Sequence, residues 1–130
     1  MNISTDTIKV SKSAEYVFKI LSNPLKFKGL MPDNLDTFNV ADDSEQFEFC
    51  LKGLPVIKMK YETKTPFKKI EMVSNSTIQF KLCFEIEEID ETNSGVEIIF
   101  EGNFNPMISM IAKQPLQKFI DILGKNVSEL

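Results

Sequence analysis

The spacing of apolar residues along this chain switches from two to 3.6, back to two, and finally to 3.6 again, and each switch marks a change of element. Ile3 to Val10 predicts a strand with Ile8 and Val10 on one face. Ser11 or Ser13 can then cap a helix whose stripe is Ala14, Val17, Phe18 and Leu21. Asn23 followed by Pro24 opens a second, short helix, with Phe27 and Met31 in line and Pro32 ending it. From Phe38 onward the period is two. Phe47, Phe49 and Leu51 alternate with Glu48, Cys50 and Lys52, and Ile57, Met59, Tyr61 and Thr63 with Lys58, Lys60, Glu62 and Lys64. After a turn at Pro66 comes a shorter strand with Ile70 and Met72. Past Asn75 and Ser76, the clearest strand runs through Ile78, Phe80, Leu82, Phe84 and Ile86 against Gln79, Lys81, Cys83, Glu85 and Glu87. Asp90 to Gly95 predicts a hairpin loop, and the last strand sets Val96, Ile98 and Phe100 against Glu97 and Glu101.

Strict alternation leaves one face dry and one wet, the habit of antiparallel sheets, and short turns make consecutive strands neighbours. Inner faces this apolar need a cover. The C-terminal stretch from Asn105 and Pro106 supplies one, with Ile108, Ile111, Leu116, Phe119, Leu123 and Val127 as a stripe. Lys113, Gln117, Lys118, Asp121 and Lys125 occupy its other side. Pro115 lies inside this helix, where it lacks the N–H that would reach Ile111 and crowds that carbonyl. A kink or short break is expected from Lys113 to Pro115. Pro106 to Ala112 would then be the looser half and could cover a cavity mouth; a simple bend following a curved sheet is the other reading. The architecture expected is α+β: a seven-stranded curved antiparallel sheet around a long C-terminal helix, with two short helices after the first strand.

At 130 residues the chain is expected to form a single domain spanning 1–130, large enough to fold without disulfide or metal. Its 11 Phe and 2 Tyr, with no Trp, bring many rings and few polar handles to the interior. The net charge of −4, with acids and bases interspersed, argues against nucleic acid as a partner. Cys50 and Cys83 match no metal or redox spacing, and there is no His, so neither a metal nor a cofactor is expected. Residues 1–6 carry neither a basic nor an apolar leader segment, and no apolar run is long enough to span a bilayer. A cytoplasmic protein without an integral membrane segment is the expectation.

The residues Ile8-Lys9-Val10-Ser11-Lys12-Ser13-Ala14-Glu15-Tyr16-Val17-Phe18, then Leu21 to Pro24 and Leu30 to Pro32, and the amphipathic tail from Pro106, carry a resemblance. Together with the order of elements, they resemble the START-like superfamily, which includes the birch-pollen-allergen type and the polyketide cyclase/dehydrase-like proteins. The order covers the whole chain and the motif-like part about a fifth of it. The resemblance implies the helix-grip fold, with a cavity between sheet and last helix for lipids, sterols, polyketides or similar apolar molecules. Some relatives are enzymes, others carry ligands or act as protein-interaction modules, and the site has to choose among them.

Such a cavity would be lined by Phe49, Met59, Tyr61, Met72, Phe80, Leu82, Phe84, Ile98 and Phe100 from the sheet, with Met107, Met110 and Ile111 from the helix. The flexible Met side chains could repack around ligands of different shape, or simply fill gaps in a solid core. Polar groups expected on inward positions are Thr63, Ser74 and the Tyr61 hydroxyl, with Thr5 and Thr7 on the first strand. No carboxylate or lysine is expected there, which leaves Tyr61 as a donor rather than a base and assigns no catalytic residue. Glu85, Glu87, Glu97 and Glu101 form an outer acidic face that could meet a basic partner or simply be solvated. The first functional reading is therefore binding or carriage of an apolar small molecule. A protein-interaction module with a vestigial cavity comes second, and a cyclase-like enzyme third.

Overall fold

A computed structural model describes every residue except Asn34 and Thr77. The order is β1 (Asn2–Ser4), β2 (Ile8–Val10), α1 (Ala14–Leu21), α2 (Pro24–Phe27) and a one-turn 3-10 helix (Lys28–Leu30). Then follow β3 (Thr37–Val40), β4 (Gln46–Cys50), β5 (Ile57–Thr65), β6 (Lys69–Ser74), β7 (Phe80–Asp90), β8 (Asn93–Gly102) and α3 (Pro106–Ser128). All strands join one antiparallel sheet in which β3 to β8 are a meander and β1 and β2 both pair with β8. This is the helix-grip arrangement.

The expected first strand is broken in two. Ile3 lies opposite Phe100 and Ile8 opposite Val96, so five residues on one side match four on the other. The extra residue is absorbed at Thr5, whose N–H donates to Ile98 O and whose hydroxyl accepts from Ile98 N–H. Gly95 permits this crossing, because a Cβ there would lie 2.8 Å from the Thr7 methyl. The last hairpin is tighter than the pattern implies. Asp90 and Asn93 pair directly, and the Asp90 carboxylate accepts from Thr92 N–H and Asn93 Nδ2.

Both helix openings follow the sequence. Ser13 caps α1 by accepting from Tyr16 N–H, and Asn23 caps α2 with Pro24 in its first turn. A second irregularity falls in β5. Tyr61 lies opposite Met72, but Thr63 lies opposite Glu71 and Lys64 opposite Ile70. The bulge at Glu62 thus turns Thr63 outward and Lys64 inward, reversing the expected alternation, since directly opposed residues share a face. Outside, Glu71 holds Lys69 and Lys81 at 2.9 Å each. Glu101 faces Lys81 across the ladder, whereas Glu85 faces Glu97, so the outer acidic face is confined to the lower end of β7 and β8.

Helix α3 is continuous from Pro106 to Ser128 through Pro115, so the short break expected as one possibility from Lys113 to Pro115 is absent. Ile111, which loses its partner N–H, lies on the exposed side of the helix, where water can replace the bond. The buried stripe is Ala112, Leu116, Phe119, Ile120, Leu123 and Val127. Near its end, Asn126 Nδ2 donates to Leu30 O at 2.9 Å, tying the brace to the 3-10 turn.

Candidate functional site

Nine of the twelve residues expected to line a cavity are buried on the inner sheet face, from Phe49 on β4 to Phe100 on β8. Their rings touch one another and those of the helices. Phe27 of α2 sits against Phe47 at 5.6 Å and Phe84 at 5.9 Å, and Phe47 neighbours both Phe49 and Tyr61. Phe49 stacks on Phe119 of α3 at 5.6 Å, and Phe80 lies tilted against Phe100 at 4.7 Å. Phe rings therefore occupy much of the space between sheet and helices.

Met107, Met110 and Ile111 are not part of this face. They are 72%, 84% and 59% exposed. Seven residues are close to two helical turns, so the phase set by Phe119 returns at Ala112 and not at Ile111. Ala112 is accordingly buried and the bulkier side chains beside it point outward. Helical spacing had placed Ile111 in the stripe, and side-chain flexibility had marked the two methionines; the phase of the packed half of the helix overrules both.

The inward polar groups are already engaged. The Tyr61 hydroxyl donates to Leu21 O at 2.7 Å, satisfying a carbonyl of the last turn of α1 that has no partner inside the helix. Burial, and then the charge of Glu45, push its phenol well above the usual range, so it stays a donor at physiological pH. Ser74 donates to Ile78 O at 2.7 Å. Sequence reasoning missed Lys64: turned inward by the bulge, its ammonium lies 4.3 Å above the Tyr61 ring centre and 3.0 Å from Glu45. No signal in the alternation marks that reversal. Tyr61→Phe should cost about 1–2 kcal/mol in a denaturant titration, because it leaves the Leu21 carbonyl buried without a donor. A loss within error would mean that water replaces the hydroxyl.

Open space is found beside α3. A groove of about 510 Å³ runs between α3, Pro32 and the β4–β5 turn. Its apolar surface comes from Pro32, Leu51, Pro115, Phe119 and Ile122, and Lys52 and Lys118 also line it. The turn is positioned by Gly53, whose φ of 86° lets Leu54 N–H return to Leu51 O. Phe119 joins the two regions, being a wall of the groove and stacked on Phe49 inside. A second groove of about 850 Å³ lies at the far end of the sheet, between α1 and the β5–β6 turn, among Phe67, Ile86 and five glutamates. Among the described residues no group of acids and cysteines could hold a metal, and no helix is long and apolar enough to cross a bilayer.

No protein-family model matches the chain, and no curated protein sequence matches it significantly. Solved structures do. A START superfamily protein from Mycobacterium smegmatis superposes with a TM-score of 0.64 at 14% identity, over 98% of this chain and 97% of that one. Norcoclaurine synthase from Thalictrum flavum, a point mutant in complex with a transition-state analogue, gives 0.71 at 14% identity over 99% and 96%. The Zhui aromatase/cyclase from Streptomyces gives 0.70 at 10% identity over 97% and 93%. The chain has the START-like, birch-pollen-allergen-like fold. At these identities the likeness carries the fold and nothing finer.

Proposed function

We propose that the protein binds an apolar small molecule, lipid-like or polycyclic, at the seam between α3 and the sheet, and does so in the cytoplasm. The observation that carries this reading is the groove of about 510 Å³ with its apolar floor ending on Phe119. That volume is within the range of small-molecule sites. The stack of Phe119 on Phe49 is the barrier between groove and interior, so a ligand reaches the inner face by displacing one ring. Binding is by burial with few polar anchors, which favours micromolar affinity. The inner hydroxyls already donate to carbonyls, which gives little support to a cyclase-like enzyme.

The ring network supports a second reading, a protein-interaction module whose cavity is filled. Native mass spectrometry of detergent-free protein and a thermal-shift panel of hydrophobic probes separate the two. Ligand binding should raise Tm in proportion to the logarithm of probe concentration, and a copurifying apolar mass should appear. An unmoved Tm at saturating probe, with a clean apo mass, would overturn the first reading.

A further inference from the structure

We propose that the groove beside α3 selects anionic amphiphiles, free molecules with an apolar body and a carboxylate-like head; this rests on the ligand-binding reading and names its ligand class. The apolar floor offers a body burial without orientation. Lys52 from the β4–β5 turn and Lys118 from α3 line the same groove. Both are exposed, and neither is in a salt bridge among the described residues. The lining also holds Asp121, but its carboxylate accepts from Gln117 Nε2 at 3.0 Å. The lining thus holds two lysines and one aspartate, a net positive balance in a chain whose net charge is −4.

The groove between α1 and the β5–β6 turn has the opposite balance. Glu15, Glu85, Glu87, Glu88 and Glu91 surround it; Lys68 and Lys69 share the lining and Lys19 pairs with Glu15 at 3.5 Å, which leaves the acids in excess. An anionic head is repelled there and attracted beside α3. The charge distribution therefore favours an anionic amphiphile beside α3 over the groove beside α1.

Calorimetric titration of the full chain with decanoate, decanol and decylammonium tests this. At low salt decanoate should bind about fivefold more tightly than decanol, the order expected of two exposed ion pairs, and decylammonium more weakly still. The preference should shrink at about 0.3 M salt, where screening shortens the reach of exposed charges. The double variant Lys52→Gln, Lys118→Gln changes only exposed side chains, so it should fold normally, keep decanol binding and lose the preference. Equal affinity for decanoate and decanol, or a preference that survives the double variant, overturns the proposal and leaves the ligand-binding reading standing. Failure of all three probes to bind overturns the proposal, and an unmoved Tm across the hydrophobic panel with a clean apo mass overturns the ligand-binding reading as well. Binding to anionic vesicles without binding to decanoate assigns the lysines to a membrane surface, and that too overturns it.

Discussion

Phe84→Ala should destabilise the protein by about 3–5 kcal/mol, while Glu85→Ala, one residue away, should stay within about 0.5 kcal/mol. Phe84 is wholly buried at the middle of the sheet, opposite Ile70 on β6 and Ile98 on β8, with Phe27 of α2 against its ring. Removing the ring takes away its transfer energy and leaves a hole bounded by both sheet and helix. Close-packed neighbours relax only partly into such a space. Glu85 points to water, opposite Glu97 on one side and Lys69 on the other, so its attractions and repulsions largely offset. Urea titration of the two variants measures both. Equal losses would place β7 in the wrong register, because a slip of one residue exchanges the two faces.

The second large effect is at Phe119. Phe119→Ala should also cost about 3–5 kcal/mol, since the side chain is buried and stacked on Phe49 at an interplanar angle of 26°. Unlike the loss at Phe84, this one should be partly reversible by a ligand. The space left by the ring adjoins the groove of about 510 Å³, so a small aromatic such as indole has a route in. An apolar space of this kind binds apolar guests, and binding restores stability by mass action. Indole should therefore raise the Tm of the variant well beyond any shift in the unaltered protein. A variant as stable as the parent would show that the stack contributes little. A destabilised variant that indole does not rescue would show that the site collapses, removing the barrier role given to the ring.

The meander and its inner face were legible because each strand from β4 to β8 buries one side, and burial selects apolar residues at every second position. Caps were legible for a similarly local reason: Ser13 and Asn23 satisfy N–H groups two or three residues away. The bulge at Glu62 was not legible. It depends on how β5 pairs with β6, and Thr63 and Lys64 continue the same alternation whether or not a residue is skipped. The break between β1 and β2 is of the same kind, settled by the partner residues Gly95 and Ile98, which lie about ninety positions away in the chain. Among the expected cavity residues, the nine on strands were found by period, whereas Ile111 was placed in the helical stripe, and Met107 and Met110 beside it for their flexibility, on a helix whose phase was set elsewhere.

By itself, then, the sequence determined what short-range physics decides: which segments are strands or helices, where the helices start, and which strand faces are dry. Tertiary structure decided what depends on distant partners. It closed the Tyr61 hydroxyl onto Leu21, set Phe119 against Phe49, and brought Pro32, the β4–β5 turn and α3 together around one groove. Lys52 and Lys118 are sixty-six positions apart and lie in no common motif. Only the packing of α3 onto the sheet makes them neighbours of the same apolar surface, because a site built between elements exists only after those elements have docked.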